Sequence, residues 1–456
     1  MQPDRRELLL TGNLNSLLFK FSIPAMVAMV VNALYIVVTM IFVGRGVGAL
    51  AITALSIILP IQLIMMALGV MIGIGVSSVI SRALGKGNKE DAISALGNGI
   101  IFGLILDAVF MVLGYVFTDK LLIFFGASAN VLPYARDYIR IILLGLVFIT
   151  FSLSSADIIR AEGNPKYGMY AMITGAGCNI ALDPILIFGL KLGVKGAAIA
   201  TVIAQFISTV YIIIYFMSKK SIFHLNMSMF KIKIKIMKEI LYVGIPSFVR
   251  QAASGIIILV FNKVLVFYGS DLYIAIMGVG LRLIALIQMP LLGITQGFAT
   301  IVGFNYGGKL YGRVKKVLRL AIIWTVIIAG FGFIVMMVFP AAVIHLFTSD
   351  KEFIAKGVFP LRAVIIFLPL IGIQMIGGGM FQAMGKALPA LLITISRQIL
   401  FLIPAVLIMP IFFGVNGVWL SVPVADFLSL VVTGIWIFKE IKTFDKLTQE
   451  SVSIGV

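Results

Sequence analysis

The sequence predicts an all-α polytopic membrane protein with twelve transmembrane helices in two pseudo-symmetric six-helix lobes. Of its 456 residues, 61% are hydrophobic and 12% are charged, a balance that soluble domains of this length do not have. A helix needs about 20 apolar residues to cross the hydrocarbon core of a bilayer. The chain contains about twelve such runs, separated by short loops.

The predicted spans follow one another closely in each half of the chain. They are assigned to residues 17–43, 50–80, 92–118, 134–158, 167–189, 195–218, 241–268, 272–303, 315–342, 357–382, 388–411 and 416–438. A basic segment interrupts the series after the sixth span. The pattern predicts an N-terminal lobe at 1–218, a basic cytoplasmic linker at 219–240 and a C-terminal lobe at 241–456.

The formal net charge of +18 is unevenly distributed along the chain. Basic residues concentrate in alternate loops, for example Arg82, Lys86 and Lys89 after the second span. This is the pattern of loops that stay in the cytoplasm. We therefore expect a multi-pass protein of the cell inner (plasma) membrane with both termini cytoplasmic. The bilayer, and not nucleic acid, is the expected partner of the basic residues, and the chain is expected to be a monomer.

Short motifs recur at a nearly constant spacing across the two halves. Ile23-Pro24 recurs as Ile245-Pro246, and Gly85 recurs as Gly307, with the same spacing in both cases. We call the spacing from Ile23 to Ile245 the repeat interval. For motifs near the C-terminus, the spacing is one position shorter than this interval. Because each half contains an even number of spans, both halves enter the membrane in the same direction. Repeats of this kind are an architecture of secondary transporters, with the binding site between the repeats.

The fifth predicted span contains a carboxylate, Asp183, within an apolar helix. A charge at the bilayer centre costs about 2.5–3.5 kcal/mol even on the most permissive scale, so such residues commonly mark ion pathways. Asn179 lies one helical turn earlier on the same face. Pro184 has no N–H and leaves the carbonyl group of Ile180 without its usual helical partner. Together these oxygens predict a site for a proton or a small hard cation.

Six segments, taken in order, resemble the multidrug and toxic compound extrusion (MATE) transporters over nearly the whole chain. They are Ser22-Ile23-Pro24, Ser81 to Gly85, Arg160 to Asn164, Asn179 to Pro184, Leu292 to Gly297, and Asn305-Tyr306-Gly307. The resemblance implies a V-shaped pair of lobes. It also implies a secondary active exporter that exchanges amphipathic, often cationic drugs for H⁺ or Na⁺ by alternating access.

In the family, the cation site of the N-terminal lobe combines an aspartate of the first span with three residues that match Asn179, Asp183 and Thr201. The aspartate falls on Thr39 in this sequence. Threonine offers an oxygen but does not hold a charge. The resemblance therefore implies that Asp183 carries the coupling charge alone or with Asp107, and that any bound metal ion is Na⁺ at Asp183.

Four further residues are candidates for a cavity: Asp107, Arg282, Gln288 and Arg397. Asp107, midway along the third span, is equally consistent with a hydrogen bond between helices. If the arginines line a cleft, they favour anionic cargo. The alternative function is then a flippase of an anionic lipid-linked precursor. A structural role for the arginines, paired with Asp426 or with helix C-termini, fits the sequence as well.

Enzymatic classes are not expected. The phosphate-binding sequence Gly-x-x-x-x-Gly-Lys-Ser/Thr does not occur, and the two histidines, His224 and His345, lack the spacing of metal ligands. We expect no cofactor other than the coupling ion. The single cysteine, Cys178, excludes an intrachain disulfide.

Overall fold

The structure is a computed structural model that describes residues 5–223 and 227–453. No strand occurs within these residues. The helices are α1 (Arg5–Thr11), α2 (Leu14–Gly46), α3 (Ala49–Lys86), α4 (Lys89–Val116), α5 (Thr118–Phe124), α6 (Leu132–Leu144), α7 (Leu146–Ala161), α8 (Pro165–Pro184), α9 (Gly193–Met217), α10 (Ile234–Tyr268), α11 (Asp271–Gly307), α12 (Tyr311–Val338), α13 (Pro340–His345), α14 (Lys351–Ile365), α15 (Leu368–Ala383), α16 (Ala387–Ile395), α17 (Ile403–Phe413) and α18 (Val415–Ser453).

Ten helical segments among the described residues are long and apolar enough to cross a membrane. Two further spans consist of bent helix pairs, α6 with α7 at 58° and α14 with α15 at 41°. Counting each pair as one span gives twelve and confirms the predicted all-α membrane fold. The breaks, at Gly145 and Phe367, are separated by the repeat interval, so the bend is a property of the repeat.

The fifth and eleventh spans contain π-helical turns, at Ile185–Gly189 and Ser396–Leu402. The first follows Pro184 directly, where the missing N–H interrupts the regular α-helical hydrogen bonding. Gly196 at the start of α9 fits closely against this turn, because a Cβ there would come within 2.7 Å of the carbonyl oxygen of Leu186. A glycine at this position therefore allows α9 to approach the backbone just after Asp183.

The described chain divides into two compact units. Unit 1 contains Val27–Gln251 together with Arg5 and Arg6, and unit 2 contains Glu7–Met26 together with the chain from Ala252 to the end of α18. These units cross the predicted lobe boundaries, because residues 7–26 group with unit 2 and residues up to 251 group with unit 1. Helices α2 and α10 each contribute to both units.

The segment that leads into each repeat packs in the unit formed by the other repeat, and we call this arrangement the exchange of leading segments. Hydrogen bonds account for it. In unit 2, Asn305 Nδ2 donates to the carbonyl oxygen of Leu9 at 3.2 Å. In unit 1, Asn98 Nδ2 donates to the carbonyl oxygen of Lys231 at 3.1 Å, and the N–H of Lys233 donates to Asn98 Oδ1 at 2.7 Å. Leu9 and Lys231 are separated by the repeat interval. Each unit is thus completed by the segment that leads into the other repeat.

Equivalent glycines seat these segments closely. A Cβ on Gly75 would come within 2.3 Å of the carbonyl oxygen of Ile240, and one on Gly297 within 2.8 Å of the backbone nitrogen of Ser22. Gly75 and Gly297 are also separated by the repeat interval. Small residues at helix contacts in membranes allow backbones to approach closely, so the same contact is built twice.

Each unit has its own apolar core. The core of unit 1 includes Val43, Ile58 and Val194. The core of unit 2 includes Phe261 and the fully buried Trp419.

Candidate ion-binding site

Four polar side chains meet inside unit 1, and they are the four that the sequence singles out. Thr39 Oγ1 of α2 lies 2.6 Å from Asp183 Oδ2 and 2.9 Å from Asn179 Oδ1, both on α8. Asn179 Nδ2 donates to Thr201 Oγ1 of α9 at 3.2 Å. Asp183 is 0% exposed and Asn179 is 2% exposed. The structure brings all four together, while their role in ion coupling stays a prediction.

Asp183 has no basic side chain as a partner among the described residues. No salt bridge to Asp183 is found among the described residues, and Asp183 Oδ1 is buried without a hydrogen-bond partner. A buried charge without a partner is strongly destabilised. A proton or a cation bound by the carboxyl group of Asp183 would relieve this penalty.

The hydrogen bonds around Thr39 can be satisfied in two ways. The single hydroxyl hydrogen of Thr39 faces two acceptors, Asp183 Oδ2 and Asn179 Oδ1. If Asp183 holds a proton, it can donate to Thr39 Oγ1 while Thr39 donates to Asn179. If Asp183 is ionised, Thr39 donates to the carboxylate, and reversal of the Asn179 amide presents an N–H to Thr39 Oγ1. The cluster can thus accept or release a proton by turning one hydroxyl and one amide.

Two tyrosines near this cluster were not predicted as site residues. Tyr138 of α6 is 4% exposed, is hydrogen-bonded to Gln62 and Thr201, and interacts electrostatically with Asp183. Tyr35 of α2 also interacts electrostatically with Asp183. The available signal was a hydroxyl within the buried face of a span, because a buried tyrosine usually finds a polar partner.

Asp107 lies in a different place in unit 1 from the Asp183 cluster. It is 2% exposed and accepts a hydrogen bond from Thr150 of α7. It also lines a cavity formed by α3, α4 and α7. Both sequence-based interpretations, a bond between helices and a cavity position, therefore describe Asp107.

The basic candidates belong to unit 2. Arg397 Nε donates to Asp426 Oδ1 at 2.7 Å, and Asp426 is 1% exposed. This pair corresponds to one of the alternatives from the sequence, a structural role for Arg397 in which it pairs with Asp426. Arg282 is exposed and Gln288 is half-buried. An apolar cavity in unit 2 is lined by Trp419 and other hydrophobic residues, and not by Arg282, Gln288 or Arg397.

Within residues 5–223 and 227–453, no group of three or more His, Cys, Asp and Glu side chains could hold a metal ion. His345 ends the short helix α13, and His224 lies outside the described residues.

Known proteins match both repeats. The MatE family model matches residues 24–185 and 246–407, two segments of equal length that are offset by the repeat interval. The multidrug export protein MepA of Staphylococcus aureus (strain MRSA252) is 30% identical over 412 residues, which cover 90% of this chain and 90% of MepA.

Solved structures agree with this assignment. The MATE multidrug transporter DinF-BH, determined in complex with R6G, is 40% identical with a TM-score of 0.88, covering 94% of this chain and 96% of that chain. A crystal structure of MATE in the bent conformation is 28% identical with a TM-score of 0.92, covering 98% of this chain and 99% of that chain. Since the family model covers most of the chain and the twelve-helix fold is shared, the protein belongs to the MATE family of multidrug efflux transporters.

Proposed function

We propose that this protein is a secondary active multidrug exporter that exchanges amphipathic, often cationic compounds for H⁺ or Na⁺ by alternating access. The observation that carries the proposal is the uncompensated carboxyl group of Asp183, buried with one oxygen unpartnered. A coupling site must bind its ion in one state and release it in another, and a buried acid without a basic partner is stabilised when it binds the ion. The family relationship supports the export of drugs.

The proposed site uses one carboxylate where the family resemblance implies two. Thr39 replaces the second acid. Its hydroxyl group donates to Asp183 when that residue is ionised, and to Asn179 when Asp183 is protonated. Ion binding at Asp183 then changes the charge of the cluster by one unit. A cationic drug and the coupling ion both favour a negative site, so one can displace the other. We further propose a monomer in the plasma membrane, with both termini in the cytoplasm.

The flippase alternative is not favoured. The MatE match and the MepA relatives are those of multidrug exporters, and the charge of Arg397 is neutralised by Asp426 at 2.7 Å. A paired arginine offers less attraction to an anionic headgroup than a free one.

The proposal is tested by rhodamine 6G transport in vesicles reconstituted with the full chain. We expect transport that depends on an imposed H⁺ or Na⁺ gradient, with collapse of each gradient in turn identifying the ion. Asp183→Asn should lower gradient-driven transport at least about 100-fold, since a buried charged interaction of roughly 3 kcal/mol is lost.

The matched control is Asp119→Asn, which removes an acid that is 43% exposed and pairs with Arg136. Its transport should remain close to that of the unchanged protein. Gradient-driven transport that persists in the Asp183 variant would contradict the coupling role of this residue.

A further inference from the structure

Asp107 of α4 is a second buried acid without a counter-ion. Its side chain is 2% exposed, and the described residues contain no salt bridge to it. One oxygen, Oδ2, accepts the hydroxyl hydrogen of Thr150, whereas Oδ1 is buried without a partner. Asp183 likewise has one carboxylate oxygen with a hydrogen-bond partner and one without, but it lies on a different helix.

A cavity adjoins this carboxyl group, between α3, α4 and α7. Most of its lining is apolar, and Asp107 is its one ionisable lining residue among those described. Ser155 of α7 also lines the cavity, and its hydroxyl oxygen is buried without a partner. An unsatisfied donor and an unsatisfied acceptor thus border the same space.

The other charged groups of the surrounding helices have partners of their own. They are Asp157 with Arg160 at 2.6 Å on α7, Arg136 with Asp119 at 2.6 Å between α6 and α5, Lys195 with Asp137 at 3.4 Å, and Arg140 of α6 over the ring of Tyr115 at 5.0 Å. The remaining charges of α3 and α4 lie at their ends: Arg82, Lys86, Lys89, Glu90 and Asp91. None of these residues lines the cavity at Asp107.

We infer that Asp107 and Thr150 form a second proton-binding site, separate from the Asp183 cluster. A proton on Asp107 can be donated to Thr150 Oγ1, and Thr150 then donates to the carbonyl oxygen of Leu146, which lies 3.0 Å away. When Asp107 is ionised, the hydroxyl group of Thr150 turns from Leu146 to the carboxylate. A single rotation of one hydroxyl group therefore serves both protonation states.

The ligand is a proton because the site offers few oxygens. Metal ions that prefer oxygen are held by several ligands, whereas the unpartnered oxygens here are those of Asp107 and Ser155. One proton on the carboxyl group removes the buried charge and needs no further ligand.

The fold itself does not require this polar pair. The counterparts of Asp107 and Thr150, one repeat interval later, are Ala329 and Gly372, both buried in unit 2. A Cβ on Gly372 would come within 2.5 Å of Thr325. In unit 2 the corresponding positions of α12 and α15 are thus occupied by small residues. Packing of these helices therefore does not require an acid at the position of Asp107, because unit 2 has an alanine there.

The site is tested by infrared spectroscopy of the full chain in lipid vesicles, titrated with pH, which detects the C=O stretching band of a protonated carboxyl group. We expect a titrating band that persists in Asp183→Asn and is absent from Asp107→Asn. Identical titrations of the unchanged protein and Asp107→Asn would overturn the inference. So would the loss of the band on adding Na⁺ at constant pH, because the ligand would then be a metal ion.

A second variant keeps the test valid if Asp107→Asn does not fold. Thr150→Val leaves the acid in place and removes its hydrogen-bond partner in both protonation states, so the band should change frequency. Ser56→Ala, which removes an exposed hydroxyl group of α3, is the control and should leave the band unchanged. A band unaffected by Thr150→Val would contradict the assignment.

The contribution of Asp107 to transport rests on the proposed function. If both acids are used, Asp107→Asn should lower the number of protons exchanged per drug molecule by one, as measured from the membrane potential at which transport reverses. Because the infrared experiment needs no transport, failure of drug export would contradict the proposed function alone. Failure of the titration would contradict the second site alone.

Discussion

The two repeats place different chemistry at equivalent positions. The counterparts of Thr39, Asn179 and Asp183, one repeat interval later, are Phe261, Phe401 and Ala405. The counterpart of Thr201, at the slightly shorter interval that applies near the C-terminus, is Val422. Phe261 and Val422 belong to the apolar core of unit 2, and Phe401 packs against it. The positions that form the polar cluster around Asp183 in unit 1 are therefore occupied by apolar residues in unit 2.

Buried aspartates within the membrane-spanning helices differ in their partners between the two units. In unit 2, Asp426 is paired with Arg397 at 2.7 Å, whereas the corresponding positions in unit 1 are occupied by Gln205 and Gly175. In unit 1, Asp107 and Asp183 have no basic partner among the described residues. A paired charge is held in one state, and an unpaired one responds to its ligand. We therefore expect ion-dependent behaviour at Asp107 and Asp183, and a structural role for the pair of Asp426 with Arg397.

The largest expected effect comes from breaking the pair in unit 2. Arg397→Ala leaves Asp426 buried and uncompensated, which should lower the free energy of unfolding by about 3–5 kcal/mol. The double variant Arg397→Met with Asp426→Leu should recover most of this loss, because packed apolar side chains often replace a buried ion pair at little cost. Denaturant unfolding in detergent measures both. A double variant as unstable as Arg397→Ala would mean that the charges act separately.

The next effect sharpens the description of the site in unit 1. Thr39→Val removes the hydroxyl group shared by Asp183 and Asn179, and a hydrogen bond to a charged group contributes about 1.5–3 kcal/mol. The ion concentration for half-maximal transport should therefore change about 10-fold to 100-fold. Thr39→Ser keeps the hydroxyl group and is expected to behave like the unchanged protein. Equal behaviour of the valine and serine variants would show that the hydroxyl group takes no part.

A pH-dependent effect concerns Glu162, which follows α7, outside the membrane-spanning segments, and is 0% exposed. Its carboxylate accepts hydrogen bonds from Tyr215 and from Ser221 Oγ, the latter at 2.8 Å, and Arg5 Nη1 lies 3.4 Å away. Burial raises its pKa from 4.5 to about 8, although Ser221 and Arg5 lower it. The counterpart in unit 2 is Met384, which does not titrate.

The direction of the pH dependence follows from this raised pKa. The folded state binds the proton more tightly than the unfolded state, so the stability of unit 1 should fall as the pH rises from about 4.5 to about 8. Glu162→Gln should make unfolding less dependent on pH in this range. Thermal unfolding of both proteins across the range measures the difference. Parallel pH profiles would contradict the shift.

The sequence predicted the features that depend on periodicity and composition. The twelve spans follow from apolar runs of sufficient length, and the repeat follows from short motifs at one interval. The grouping of Thr39 with Asn179 and Asp183 required the family resemblance, because residues 140 and 144 positions apart have no local pattern that joins them. Their role in coupling stays a prediction.

Other features depend on tertiary packing and could not be predicted. The exchange of the leading segments depends on backbone contacts such as that of Asn305 with Leu9, which no hydrophobic pattern encodes. The pairing of Arg397 with Asp426 was one of several open arrangements, since the two residues lie on separate helices. The cavity beside Asp107 forms only when α3, α4 and α7 pack together. The sequence therefore showed a single acid within an apolar span, and the residues around it could not be predicted.

The exchange of leading segments has a consequence for biosynthesis. Residues 7–26 leave the ribosome early, yet their partners in unit 2 are synthesised only after residue 251. Conversely, the helices of unit 1 must wait for the residues that begin α10 before their last contacts form. Neither half of the gene therefore encodes all the residues of one compact unit.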